Sequence, residues 1–395
     1  MGPLAGIRVI DLSRHLAGPY TSTLLGDMGA EVIRIERPGG DDDRRYGFKL
    51  LNGDSSVFVS RVRNKKSMTL DLRTTEGQEV FNRLVAVADV VLENYGVAVR
   101  EQLNISYEGL KQANPRIIMA SVSGYGSWGP STEKLSFDPI AQAACGSMSF
   151  GGFPDDERPA RAAVAWVDYA TALHAAVGIM MALWHREKTG KGQHIDVSLY
   201  DTAVCLVGMQ GFLTDYMLSG HERPKTGNAS PYAYADTFRA RDGWIFVHLG
   251  RNSIWRRFIR VLGREELGDD PRFDSDAKRA ENRTLINEIV QPWAAGKTVD
   301  EITRLLEAQR VPCQKVNTLA DVSTDSHLTA REMIVDVDYP GKGRVPIPGI
   351  VIKLSESPGE ISVHIATLGE HNDEILNQIG YSEEEIANLR EQGII

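Results

Sequence analysis

Asp168 is the acid in this sequence whose surroundings raise a question of chemistry. It stands directly before YATALHAAVGIMMALW, an apolar stretch with helical character. An aspartate in that place has two readings. Its oxygens can cap the helix by accepting orphan backbone N–H groups. The same helix N-terminus would stabilise the anion, keeping the carboxylate ionised and available as a nucleophile. The two roles are compatible. Residue physics alone favours the cap as the commoner of the two.

Other chemistries find little support. The first strand–helix loop reads SRHLAGP and lacks the GxGxxG glycines that let a backbone approach a pyrophosphate, although Glu36 sits near the place of a ribose-binding acid. A GYGSWG run at Gly124–Gly129 is followed by Pro130, and no helix opens there. GxxxxGK[ST], HExxH and GxSxG are all absent from the sequence. Cys145, Cys205 and Cys313 are odd in number and far apart, which predicts a reducing compartment with neither a disulfide framework nor a metal site. A net charge of -9 disfavours nucleic acid as the main partner but leaves room for a local basic pocket.

Elements that would position Asp168 follow from the pattern. The 395 residues, 42% apolar and 25% charged, predict a globular chain of two domains. The N-terminus shows no basic region leading into an apolar core, so no signal peptide is expected. Tyr169 to Trp184 is shorter than a membrane span and contains His174, so it reads as a buried helix with His174 in the core or an interface. A cytoplasmic protein with no membrane contact is the expectation.

IRVIDLS, a helix with Pro19 in its first turn, and EVIRIER form a β-α-β opening. A strand near Ser67–Leu72 follows, then a helix carrying Val80, Phe81, Leu84 and Val85, with Thr75 and Gln78 at capping-box spacing. VADVVLEN and RIIMASVSGYG continue the series, which implies an α/β domain with a mainly parallel sheet. HIDVS is a further strand, and Ser198 is a candidate cap for one long helix through LYDTAVCLVGMQGFLTDYML. After a Gly- and Pro-rich stretch comes a hairpin turning at Asp242-Gly243, then three helical stretches, the last with Thr298 and Glu301 at capping-box spacing. MIVDVDY and PGIVIKLS read as strands before a C-terminal helical pair. The expected domains are 1–219, a linker at 220–235, a small domain at 236–315, and a return of 316–395 to the first.

The chain also resembles the class III coenzyme A transferases. The likeness runs through GIRVIDLSRHLAGPYTSTLLGDMGAEVIRIERPGGD, NKKSMTLDL, ENYG at Glu93–Gly96, NPRIIMASVSGYGSWGP, FDPIAQA, VDYATALHAAVGIMMAL, KTGKGQHIDVSLYD and LGEHNDEIL. Each piece is weak, and their joint order is specific. The resemblance implies a Rossmann-like large domain built from both chain ends, a smaller α+β domain, and an intertwined homodimer. It implies that Asp168 attacks an acyl-CoA thioester, giving a mixed anhydride and then an aspartyl-CoA thioester. Coenzyme A is then a substrate, and no tightly bound cofactor or metal is expected. The CoA site implied is His15, Leu16 and Ala17, with Arg37, Leu70 to Arg73, Asn94, Tyr95, Gly96, Arg100, and Lys134, Leu135 and Phe137. Arg37 and Arg73 would pair with the adenosine phosphates through their forked cations.

Departures from the family pattern narrow the expectation. Leu16 stands where formyl-CoA transferase has a glutamine, and Gln102 replaces an arginine that Arg100, two residues away, would have to stand in for. Gly220–Gly250 holds no counterpart of that enzyme's glycine-rich loop. These differences point from formyl-CoA and oxalate towards succinyl-CoA as donor and a C4 or C5 dicarboxylate acceptor such as mesaconate, itaconate or citramalate. A racemase of α-methylacyl-CoA thioesters is the other relative to weigh. Its catalytic histidine falls on Phe137 and its glutamate on Asn252. Phenylalanine accepts no proton, so a two-base reaction lacks its partner. His371 in LGEHNDEIL has no mechanistic role to fill, and Asn372 and Asp373 are candidate caps beside it.

Overall fold

Alternating apolar strands and helices predict a parallel sheet buried on both faces, and the computed structural model, which describes residues 2–48, 55–230, 232–341, 343–362 and 364–395, contains one. β1 (Arg8–Asp11), β2 (Glu31–Glu36), β3 (Lys65–Thr69), β4 (Val90–Glu93), β5 (Ile118–Ser123) and β6 (His194–Ser198) pair in parallel in the order β3-β2-β1-β4-β5-β6. Strand periodicity divides the core. Ile10, Ile33 and Val91 join Phe81, Leu84, Leu376 and Leu389 on one face, while Val9, Val32 and Val90 meet Leu25, Ala175 and Ile179 on the other. The C-terminal helices Asn372–Gln378 and Glu383–Glu391 therefore complete a core begun by the first strands.

The sheet lies in a compact unit of Met1–Ser147, Arg161–His221 and Ser326–Ile395. This unit also holds an antiparallel pair, β10 (Ile334–Tyr339) and β11 (Gly343–Pro348). A second unit, Met148–Ala160 with Glu222–Asp325, is built on β7 (Ala235–Arg239), β8 (Trp244–His248) and β9 (Cys313–Lys315), all antiparallel, with helices packed over Phe238, Phe258 and Ile302. Ala240–Gly243 turns the β7–β8 hairpin as the Asp242-Gly243 pair predicts, and Thr298 with Glu301 forms a capping box.

Three local expectations need correction. The helix after β6, capped by Ser198 as expected, is two helices, Leu199–Met209 and Phe212–Ser219. Gly211, at φ +80°, turns the chain out of the helical region between them. PGIVIKLS is not a strand. Its apolar alternation finds no ladder partner among the described residues, and GRVPIP pairs with β10 instead, its prolines tolerated because both strands of a two-stranded sheet are edges. The helix Thr75–Ala86 is capped by Thr74, which accepts from the Gly77 N–H, and the Gln78 amide is spent on the carbonyls of Leu72 and Leu103.

The Trp166–Thr189 helix is long and apolar enough to cross a membrane by length and composition. Here it buries one face, with Ala175, Ile179 and Ala182 inside and Arg186 paired to Asp89 at 2.8 Å. Leu173, Val177, Met181 and Trp184 are exposed opposite. The buried helix of the expectation is thus buried on one side, and His174 lies on the exposed side rather than in the core, its Nδ1 2.8 Å from the Ala170 carbonyl.

Candidate active site

In a sheet of this order the strand sequence reverses between β1 and β4, and the crevice outside their C-terminal ends is where such folds take ligands. The loop after β1 carries His15 and Leu16 and leads into the helix Ala17–Asp27, and the loop after β4 carries Asn94, Tyr95 and Gly96. Asn94 fastens one loop to the other. Its Oδ1 accepts the Arg14 N–H at 2.8 Å and its Nδ2 donates to the Arg14 carbonyl at 2.7 Å. His15 is held in the left-handed region at φ +65°, and Gly18 passes so close to Ser13 that a Cβ there would overlap it.

Beneath this loop lies a buried charged cluster. Asp11 accepts from the Ser13 N–H and hydroxyl, from the Ser22 hydroxyl at 2.5 Å and from Lys65 at 3.0 Å. Lys65 also donates to the Pro19 carbonyl at 2.8 Å and to the Ser22 oxygen at 2.7 Å. Burial pushes the Asp11 carboxyl up, but Lys65, Arg34 and the two serines outweigh it and leave it below the ordinary value. The Lys65 ammonium is pushed down to about 8, by burial first. The sequence signal for this cluster is a charged residue inside each of two apolar strands, Asp11 and Lys65.

Asp168 does not cap its helix. The helix begins at Trp166, with Ala165 in the cap position, so Asp168 is its third residue. The orphan N–H groups are served from elsewhere. Oδ2 of Asp138, a buried residue of the helix Asp138–Ala144, accepts from Val167 at 2.8 Å and from Asp168 at 3.4 Å. Its Oδ1 accepts from Gln142 at 2.5 Å. Burial, then the Asp138 charge, push the Asp168 carboxyl up to about 7, against the pull of Arg61. The expected stabilisation by the helix N-terminus is worth only about 0.3–1 kcal/mol. It is the smaller effect, and Asp168 is not held ionised throughout the neutral range.

Asp168 stands where two cavities meet, and His15, Leu16 and Phe137 line both with it. The smaller, about 220 Å³, also takes in Ala17, Asn94, Tyr95, Gly96, Arg100, Lys134 and Leu135. Arg100 is part of its wall through Glu93 at 3.2 Å and Ser121 at 2.9 Å, and Ser121 continues to His194 at 2.8 Å. Burial lowers the His194 imidazole from its ordinary value and raises the Tyr95 phenol to about 12. The larger cavity, about 650 Å³, is walled by Pro19, Phe58, Pro139 and Ile140 and carries three arginines, Arg34, Arg61 and Arg161. Phe137 packs edge-on against the His15 ring, centroids 5.7 Å apart.

Arg37 and Leu70 to Arg73, assigned from sequence, line neither cavity. Leu70 gives its side chain to the core. Arg37 is engaged with Asp42 at 2.6 Å and the Gly40 carbonyl at 3.1 Å, and Arg73 grips Asp71 with both arms at 2.8 and 2.7 Å. Asp138 and Arg61 were missed. Asp138 stood in the quoted FDPIAQA segment, but nothing in sequence spacing reveals that it would cap a helix thirty positions on.

His371 has a structural use. Its Nδ1 accepts the Ser67 N–H at 3.2 Å, while Asn372 Oδ1 accepts that of Thr69 at 2.9 Å. Neither side chain caps its helix. Together they satisfy the open edge of β3.

The sequence pattern of CoA-transferase family III matches residues 4–372. The chain is 35% identical over 397 residues to succinyl-CoA–D-citramalate CoA-transferase of Chloroflexus aurantiacus, covering 100% of this chain and 98% of the relative. It is 36% identical to succinyl-CoA:mesaconate CoA-transferase of Haloarcula hispanica, covering 96% and 97%. Among solved structures, a CAIB/BAIF family protein from Brucella suis superposes with a TM-score of 0.84 at 33% identity, over 96% of this chain and 99% of that one.

Proposed function

The chain belongs to CoA-transferase family III and is a CoA-transferase, and from that premise we propose that it carries coenzyme A from succinyl-CoA to a C4 or C5 dicarboxylic acid through covalent intermediates on Asp168. The observation that carries this reading is the position of one carboxylate at the junction of two cavities, with backbone-rich loops around one and arginines around the other. Relatives that act on citramalate, mesaconate and glutarate support the acid class.

Asp168 attacks the thioester carbonyl, the C–S bond breaks, and CoA leaves as the thiolate with the acyl group held on Asp168 as a mixed anhydride. The thiolate then attacks the Asp168 carbonyl, releasing succinate and leaving an aspartyl-CoA thioester. The incoming carboxylate repeats the sequence in reverse, and Asp168 is regenerated. The pantetheine chain occupies the smaller cavity against Asn94–Gly96, with Lys134 and Arg100 beside it, and the acyl group takes the larger. Arg37 and Arg73 would exchange their present aspartates for the phosphates of the nucleotide, which lies outside both cavities.

The exposed apolar face of Leu173, Val177, Met181 and Trp184 supports association of two copies, and we take the working enzyme to be an intertwined homodimer of the cytoplasm. CoA enters and leaves as substrate.

Acceptor acids tested with succinyl-CoA decide the reading. Transfer to mesaconate, itaconate, citramalate or glutarate is expected. Activity with monocarboxylates alone would remove the dicarboxylate assignment, and transfer from formyl-CoA to oxalate in preference would replace it.

A further inference from the structure

The larger cavity sets three arginines against three aspartates, Asp43, Asp138 and Asp168, and the arginines differ in what they have left to offer. Arg34 is saturated. Its Nη2 donates to both oxygens of Asp43, at 2.9 and 3.0 Å, and Glu36 lies 3.4 Å from its Nε. Arg161 is exposed and gives a hydrogen bond to the Ala162 carbonyl at 3.2 Å. Arg61 is half-buried, donates one N–H to the His15 carbonyl, and has no carboxylate within ion-pair distance among the described residues. Burial lowers its guanidinium from the ordinary value, and Tyr169, then Asp43 and Asp168, act against that. Arg61 and Asp168 therefore sense each other across a largely apolar space.

We propose that Arg61 is the specificity-determining residue of this enzyme, receiving the remote carboxylate of a dicarboxylic substrate while the near carboxylate reacts at Asp168. The inference rests on the reading of Asp168 as the reacting group and of dicarboxylates as the substrates. A desolvated guanidinium without a counter-ion is unfavourable, and a carboxylate presented to its free N–H groups removes that penalty with two parallel charge-assisted hydrogen bonds. A monocarboxylate of equal length would fill the apolar walls and leave the guanidinium unpaired. The cavity therefore selects by charge at its far end. The hydrogen bond to the His15 carbonyl adds a second consequence, because it fixes Arg61 to the loop that borders both cavities.

The test is the ratio of acceptor kcat/KM for glutarate to that for pentanoate, with succinyl-CoA as donor. In a two-step exchange this quantity reports only the second half-reaction, so the charge on the donor does not enter. Arg61→Met is expected to lower the ratio about 30-fold or more, mainly through KM for glutarate. Arg61→Lys, which keeps a charge and so guards against a simple failure to fold, is expected to lower it roughly threefold to tenfold by losing the fork. A ratio unchanged within about twofold in either folded variant, while the wild type prefers glutarate, overturns the role of Arg61 and leaves the dicarboxylate reading standing. A wild type that does not prefer glutarate to pentanoate overturns both.

Discussion

The Asp138 carboxylate accepts the Val167 N–H at 2.8 Å and the Asp168 N–H at 3.4 Å, so one acid caps the helix on which a second acid is held. The arrangement satisfies orphan donors and at the same time sets a like charge beside Asp168. Together with burial, that charge lifts the Asp168 carboxyl to about 7.

Rate should therefore depend on pH through Asp168. Only the carboxylate attacks a thioester, so a raised value means activity is lost as pH falls. We expect kcat/KM for the acyl-CoA to drop about tenfold per unit below roughly pH 7 and to level off above it. Asp138→Asn keeps an oxygen acceptor for the Val167 N–H but removes the charge, and should move the midpoint to lower pH. A pH–rate profile that is flat from 5 to 8 in the wild type would contradict the account.

Stability should move in the opposite sense to activity. The folded chain binds the Asp168 proton more tightly than the unfolded chain does, so stability from this group is fully present below about pH 4. It declines as pH rises to about 7, where the ionised form carries the full penalty. Asp168→Asn should then be more stable than wild type at pH 8, by roughly 4 kcal/mol, with the advantage shrinking towards pH 4. Urea midpoints at the two pH values measure this. The same Asn variant, and Asp168→Ala, should lose exchange altogether. Wild-type enzyme treated with succinyl-CoA and then hydroxylamine or borohydride should carry its modification on Asp168, identified by peptide mass.

Lys65 should matter to the site without touching substrate. Lys65→Met leaves Asp11 buried without its counter-ion, a change that costs about 3–5 kcal/mol in comparable settings. The loop carrying His15 and Leu16 would loosen with it, so KM for the acyl-CoA should rise as well. Adding Asp11→Asn should recover part of the stability. Thermal melts of the two variants showing equal loss would argue against the ion pair as the cause.

Much of the fold was legible because it is written in local periodicity. Strand alternation at Val9–Ile10 and Val32–Ile33 assigns each side chain to one face of the sheet, and turn chemistry at Asp242-Gly243 marks a hairpin. Reading failed where a local pattern lacked a partner. Val351, Ile352 and Leu354 look like a strand, yet no ladder among the described residues receives them. Gly211 breaks a helix that apolar spacing alone would continue.

By itself the sequence determined the parallel α/β unit, the loops that border the smaller cavity, and Asp168 as the residue of interest, because each depends on neighbours in the chain or on ordered motifs. Only the tertiary structure decided that Asp168 is the third residue of its helix and not its cap, and that Asp138 does the capping. It alone revealed that Arg61 faces the same cavity as Asp168 with no carboxylate partner among the described residues. Those facts concern distances between residues far apart in sequence. Charge interacts through space, and a carboxyl's proton affinity is set by what the fold brings near it.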